Sequence, residues 1–284
     1  MKKIFCFGDS WTLGMGSETE PGSGKISIDI KNSQKFREEN KDYKYSYPGQ
    51  LQEQLGSSYQ VFNYGMGGGS NYNIYNMIIN KLKSSEPVNP IKRGDIVIVG
   101  WTSVIREPLS FFKMIDDYNE GSIDFSLKSF EKGHDGWYPY WIRDIRPLEL
   151  QKGAQSAFED FIVNRINLNF MYEQVMNYIC HLQIIFESMG IDYIFFNAFE
   201  NVVSKKIHFH NQIKKENWIL FDYTLSDYLC DIEPTIDKSL TYSVWEDDIK
   251  KNERNNDGPH PNRLGYCYIK DLVHKKIKEK ICLI

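Results

Sequence analysis

The chain has 284 residues, 14% of them aromatic, and sets 34 Lys and Arg against 38 Asp and Glu for a net charge of −4. A small, mixed charge of this kind excludes the basic footprint of a nucleic-acid or anionic-membrane binder, and no apolar run has the length of a bilayer span. Cys6, Cys180, Cys230, Cys267 and Cys282 are scattered without a Cys-x-x-Cys pair, which argues against a disulfide framework or a zinc site and for a reducing compartment.

A chain of this length fits a single domain of the larger α/β kind, able to bury a full core. It enters its first strand without a signal-like apolar region, so a soluble cytoplasmic protein is the expectation. That strand is the short apolar run Ile4 to Phe7, cut off by Gly8-Asp9 with Ser10 at the break. A serine at a sharp strand-to-helix turn stands at the carboxyl edge of a sheet. There its hydroxyl is exposed and its N–H points towards an incoming oxyanion. The plainer alternative is a βα turn in which Asp9 or Ser10 caps the helix.

Residues 16–44 are polar and read as a long loop or small insertion. Tyr47-Pro48 opens a helix with Leu51 and Leu55 four apart, ended by Gly56. Tyr59 to Tyr64 is a second strand that ends at a glycine cluster, Gly67-Gly68-Gly69. These lack the Gly-Lys-Ser/Thr ending of a phosphate loop. Ser70-Asn71 caps the next helix, whose apolar stripe is Ile74, Ile78 and Leu82. Ile96 to Val99 is apolar throughout, as a central parallel strand covered on both faces should be, and it delivers Gly100-Trp101-Thr102-Ser103.

Residues 104–156 read as an inserted cap or subdomain carrying Trp137, Tyr138, Tyr140 and Trp141 among turn residues. A long helix is expected from Ala157 to Met189, a fourth strand at Asp192 to Asn197 and a short fifth at Trp218 to Phe221, followed by a loose segment to Asn256. His208 and His210 share one strand face without a third ligand, so surface histidines are preferred to a metal. The last helix, from Asn262 to Lys280, is expected to bury Leu264, Tyr268, Leu272 and Lys276, with Ile269, Val273 and Ile277 beside them.

Just before that helix, Asp257 precedes His260 by three residues in a loop stiffened by Pro259 and Pro261. A serine nucleophile needs a base, and the base needs an acceptor on its other ring nitrogen. Ser10 near the start and Asp257-x-x-His260 near the end meet that need together, although each alone also reads as a surface turn.

At these residues the chain resembles the SGNH hydrolases, the GDSL esterase and lipase family. The likeness rests on four short blocks between residues 4 and 265: Phe7 to Gly14, Asn63 to Gly68, Gly100 to Ser103, and Asp257 to His260. It implies a three-layer αβα sandwich on a mainly parallel, flavodoxin-like sheet of about five strands. It also implies a Ser10–His260–Asp257 triad and an oxyanion hole of Ser10 and Gly68 N–H groups. The third block departs: the family's Gly-x-Asn-Asp is Gly-Trp-Thr-Ser here, with Thr102 where an amide donor is expected. Thr102 through its hydroxyl, or Ser103 or Asn71, is then the expected third donor.

Asp9, Trp11, Asn71, Trp101, Ser103, Arg106, Trp137 and Trp141 are candidate substrate contacts. Arg106 beside Glu107 fits a structural ion pair or a contact to an anionic or hydroxyl-rich substrate. The Trp137 to Trp141 rings suit sugar faces, or equally a mini-core beneath the insertion. The expected activity is hydrolysis of a short-chain ester, acetyl above all, on a carbohydrate or small molecule, without cofactor, metal, nucleic acid or membrane. The alternatives are an O-acyltransferase on the same residues and a weakly catalytic binding module on the same fold.

Overall fold

The computed structural model describes residues 1–14, 16–17, 44–67, 69–83, 89–104, 168–203, 210–232 and 260–281. The expected insertion at 104–156 and the first part of the long helix lie outside these residues, apart from Val104.

In chain order the elements are β1 (Lys2–Gly8), α1 (Ser10–Leu13), α2 (Tyr47–Leu55), β2 (Tyr59–Gly65), α3 (Asn71–Leu82) and β3 (Ile96–Trp101). They continue with α4 (Leu168–Met189), β4 (Asp192–Asn197), β5 (Trp218–Thr224), α5 (Leu225–Ile232) and α6 (Arg263–Ile281). The five strands form one sheet in the order β2-β1-β3-β4-β5. Every pairing is parallel, with the register shift of β5 falling between Phe196 and Asn197. This is the doubly wound order with a reversal of strand order between β1 and β3.

Side chains alternate across a strand, and the two sets find separate helices. Phe5, Phe7, Val97, Val99 and Phe195 pack with Ile74 and Ile78 of α3 and Val175, Ile179 and Phe186 of α4. Ile4, Cys6, Ile96, Ile98, Ile194 and Phe196 pack with Leu51 of α2, Leu229 of α5 and Tyr266, Ile269, Val273 and Ile277 of α6. The sheet is therefore the middle of three layers, as the resemblance implied. Each fully buried Leu, Ile, Val or Phe contributes about 1.5–3 kcal/mol, so both faces of the sheet draw on substantial burial.

Three expectations need correction. The buried stripe of α6 is Tyr266, Ile269, Val273 and Ile277, while Leu264, Tyr268, Leu272 and Lys276 are only half-buried. The apolar positions 264, 268 and 272 lie one residue around the helix from the true stripe, where they pack its margin. β5 runs on to Thr224. The supposedly loose segment after it opens with α5, which buries Leu225 and Leu229. Its start is a capping box: the Asp227 N–H donates to Thr224 Oγ1 at 2.9 Å, and the Thr224 N–H donates to Asp227 Oδ2 at 3.3 Å. Thr224-x-x-Asp227 is a readable signal that sequence reasoning passed over.

Candidate active site

β1, β2 and β3 end side by side, and each ends at or beside a glycine: Gly8, Gly65 and Gly100. These absent side chains let α1 lie across the end of the sheet. A Cβ on Gly8 would come 2.1 Å from Thr12 Oγ1, one on Gly65 2.0 Å from the Leu13 nitrogen, and one on Gly100 3.1 Å from Thr12 Oγ1 as well as 2.6 Å from the Phe196 ring of β4. α1 is a single turn, too short to persist alone. It is held by its surroundings, with the Asp9 carboxylate accepting the Trp11 N–H at 3.0 Å.

Ser10 is the first residue of α1 and is buried at 3% exposure. His260, 250 residues later, is buried at 7% exposure and brings Nε2 to 2.9 Å from Ser10 Oγ. With the ring proton on Nδ1, Nε2 accepts the serine hydroxyl proton, which is the contact a nucleophile and its base require. His260 is delivered by the start of α6. There Asn262 Oδ1 accepts the N–H groups of Leu264 and Gly265, each at 3.0 Å, as an N-cap.

Beneath Ser10 lies a polar chain that the sequence did not announce. The Thr102 hydroxyl donates to Asp9 Oδ2 at 2.7 Å, and the Thr102 N–H donates to Asn71 Oδ1 at 2.9 Å. The Asn71 amide donates to the carbonyls of Thr102 at 3.1 Å and Ser103 at 3.3 Å. On the far side of the loop, the Ser103 hydroxyl donates to Glu200 Oε2 at 2.6 Å, and the Val104 N–H donates to the same oxygen at 3.3 Å. The Tyr172 hydroxyl donates to Glu200 Oε1. Burial first, and then the bond to that carboxylate, hold the Tyr172 phenol above its ordinary pKa.

These bonds correct several expectations. A hydroxyl has one proton to give, and Thr102 gives it to Asp9, so the hydroxyl does not point at an oxyanion. The Ser103 hydroxyl and the Asn71 amide are likewise turned to protein acceptors. Asp9, Trp11, Asn71 and Trp101 are each at most 1% exposed and serve as internal structure rather than substrate contacts. Trp11 meets Phe199 edge-on with ring centroids 4.7 Å apart, and Trp101 meets Phe195 edge-on at 5.8 Å. A large indole next to a sheet edge carries the same sequence signature whether it lines a pocket or fills a core. Gly68, Arg106, Trp137, Trp141, His208 and Asp257 lie outside the described residues. His210 packs edge-on against Phe221 with centroids 5.9 Å apart.

Sequence reasoning missed Glu200, Tyr172 and Asn262. Only Asn262 had a local signal, a cap residue directly ahead of an apolar-periodic helix.

The chain matches no protein-family model and no curated protein sequence. Among solved structures it is similar to the acetyl xylan esterase AlAXEase, with 14% identity, a TM-score of 0.40, and 96% of this chain and 98% of that chain covered. A putative lipolytic protein of the G-D-S-L family from Desulfitobacterium hafniense DCB-2 matches at 14% identity and a TM-score of 0.36, over 97% of this chain and 99% of that one. The lipase Lip_vut3 from a goat rumen metagenome matches at 13% identity and a TM-score of 0.34, over 97% of both chains.

Proposed function

We propose that this chain is a serine esterase of the SGNH type that removes a short acyl group, acetyl above all, from a carbohydrate or small-molecule ester. The observation that carries the proposal is the 2.9 Å approach of His260 Nε2 to Ser10 Oγ at the carboxyl edge of the sheet.

Ser10 attacks the ester carbonyl as His260 Nε2 takes its proton. The tetrahedral oxyanion collapses and expels the alcohol, which receives that proton from the imidazolium. Water, with His260 again as base, then releases the acid. The role proposed for Asp257 is to accept the hydrogen bond from Nδ1 and stabilise the imidazolium. The Ser10 N–H has no intrahelical partner, because it lies in the first turn of α1. In the proposed mechanism it binds the developing oxyanion, and the same role is assigned to the Gly68 N–H. Each such donor is worth roughly 10²–10³ in turnover, and Thr102 supplies none through its hydroxyl.

The deciding experiment compares wild type and Ser10→Ala on p-nitrophenyl acetate, then on a panel of acyl chain lengths and acetylated glycans. Turnover by wild type alone, falling with chain length and retained on acetylated sugars, is the expected result. Equal, background-level rates for the two proteins overturn the proposal. Activity confined to long acyl chains overturns the acetyl assignment.

A further inference from the structure

We propose that Thr102 and Asn71 are positioning residues of this esterase, fixing the Ser10 turn and the loop after β2 against the end of β3. The inference rests on the esterase reading above.

The Asn71 carboxamide behaves as a peptide group would in a neighbouring strand. Its oxygen takes the Thr102 N–H and its nitrogen gives to the carbonyls of Thr102 and Ser103. β3 ends at Trp101, so this pairing carries its hydrogen bonding onward where no strand continues. Asn71 is the first residue of α3, directly after the glycine loop of β2, and is fully buried. The loop is thereby tied to β3.

Thr102 completes the tie with its side chain. Of the two Asp9 oxygens, Oδ1 takes the Trp11 N–H and Oδ2 takes the Thr102 hydroxyl. The carboxylate, next to the nucleophile in sequence, is thus gripped from within α1 and from the residue that follows β3. A one-turn helix does not set its own direction, so the Asp9 grip sets where the Ser10 hydroxyl and N–H point. Asn71, Thr102 and Asp9 form one continuous chain under the nucleophile, joining the three loops that follow β1, β2 and β3. Their effect is on the relative placement of the Ser10 side chain and the backbone donors, where a misplacement of about 1 Å can cost ~10²-fold in rate.

Three variants test the proposal, read by p-nitrophenyl acetate kinetics, by the rate of Ser10 labelling with a fluorophosphonate, and by thermal midpoint. Thr102→Val keeps the branched shape and removes the hydroxyl, whereas Thr102→Ser keeps the hydroxyl. Asn71→Asp keeps the shape and turns two donors towards carbonyls into an acceptor. Thr102→Val and Asn71→Asp are expected to lose about 10²-fold in kcat and in labelling rate with KM unchanged, and Thr102→Ser is expected to restore both. Wild-type rates in Thr102→Val, or equal losses in Thr102→Val and Thr102→Ser, overturn the positioning role. Should Thr102→Val fail to fold, the contrast between Asn71→Asp and Thr102→Ser decides in the same way. A wild type that neither labels nor exceeds Ser10→Ala overturns the esterase reading itself, whereas an active wild type with unaffected variants overturns only the role given to Thr102 and Asn71.

Discussion

Gly65, the last residue of β2, faces Leu13 so closely that a Cβ would stand 2.0 Å from the Leu13 backbone nitrogen and 2.4 Å from its Cα. Both atoms belong to backbone, so no side chain can swing aside to make room. Gly65→Ala is therefore expected to push α1, and Ser10 with it, away from the sheet end. Overpacking of this kind costs about 1–3 kcal/mol, and the displacement breaks the Ser10–His260 contact. Esterase turnover near the Ser10→Ala background together with a lowered thermal midpoint is the expected pair of results. A fully active Gly65→Ala protein shows that the turn does not depend on this close approach.

The framework and the two ends of the site were legible because each is written in local chemistry. Strands β1, β3 and β4 are apolar runs stopped by glycine or turn residues, β2 is a mixed stretch that runs into a glycine cluster, and His260 follows from what a serine nucleophile requires. The polar chain beneath Ser10 was not legible, since its partners meet only through the fold. Asn71 and Thr102 are 31 positions apart, Asp9 and Thr102 93, Ser103 and Glu200 97. At position 102 the sequence reported a missing amide and a hydroxyl. Only the fold reveals that the hydroxyl faces inward to Asp9. Trp11 and Trp101 illustrate the converse error, since proximity to the nucleophile along the chain suggested substrate contact where the rings fill the core.

Asn262 caps α6 through two N–H groups and stands two residues after His260. Asn262→Ala is expected to cost about 0.5–2 kcal/mol of stability as a lost N-cap. The effect on kcat should exceed what this modest loss suggests, because fraying of the first turn releases the segment that aims the imidazole. Stability by thermal denaturation and kcat on p-nitrophenyl acetate separate the two effects. A variant with lowered stability and unchanged kcat shows that His260 is held without the cap.

Glu200 accepts hydrogen bonds from Ser103 and Val104 on one side and Tyr172 on the other, the two chain stretches that flank residues 105–167. Glu200→Gln sets N–H donors against these donors, and Tyr172→Phe removes one of them. The double variant is expected to lose less than the sum of the singles, with a coupling of about 0.5–1.5 kcal/mol for a partly exposed site. A double-mutant cycle by urea denaturation measures it. Strict additivity removes the Tyr172–Glu200 bond from the account of how the loop is held.

At the end of α4, near the start of β4 and away from the Ser10 turn, Glu187 meets the Lys214 ammonium at 2.8 Å and accepts the Tyr193 hydroxyl at 2.8 Å. Burial acts to raise its pKa, but the hydrogen bonds from Lys214 and Tyr193 and the charges of Lys214 and Lys280 outweigh it, leaving the carboxyl below its ordinary 4.5. A depressed folded pKa means that the unfolded chain binds the proton more readily. The stabilisation is complete above 4.5 and is lost as pH falls through the lower folded value. Glu187→Gln is therefore expected to lower the thermal midpoint slightly at neutral pH, and the gap to wild type should close as pH drops below 4.5. The gap should also shrink with added salt, since the Lys214 and Glu187 side chains are 47% and 40% exposed and such pairs are screened. Turnover at neutral pH should not change, because the pair sits at the edge of the sheet opposite the nucleophile. A gap that widens in acid reverses the sign assigned to this carboxyl, and lost turnover refutes the separation of the two sheet edges.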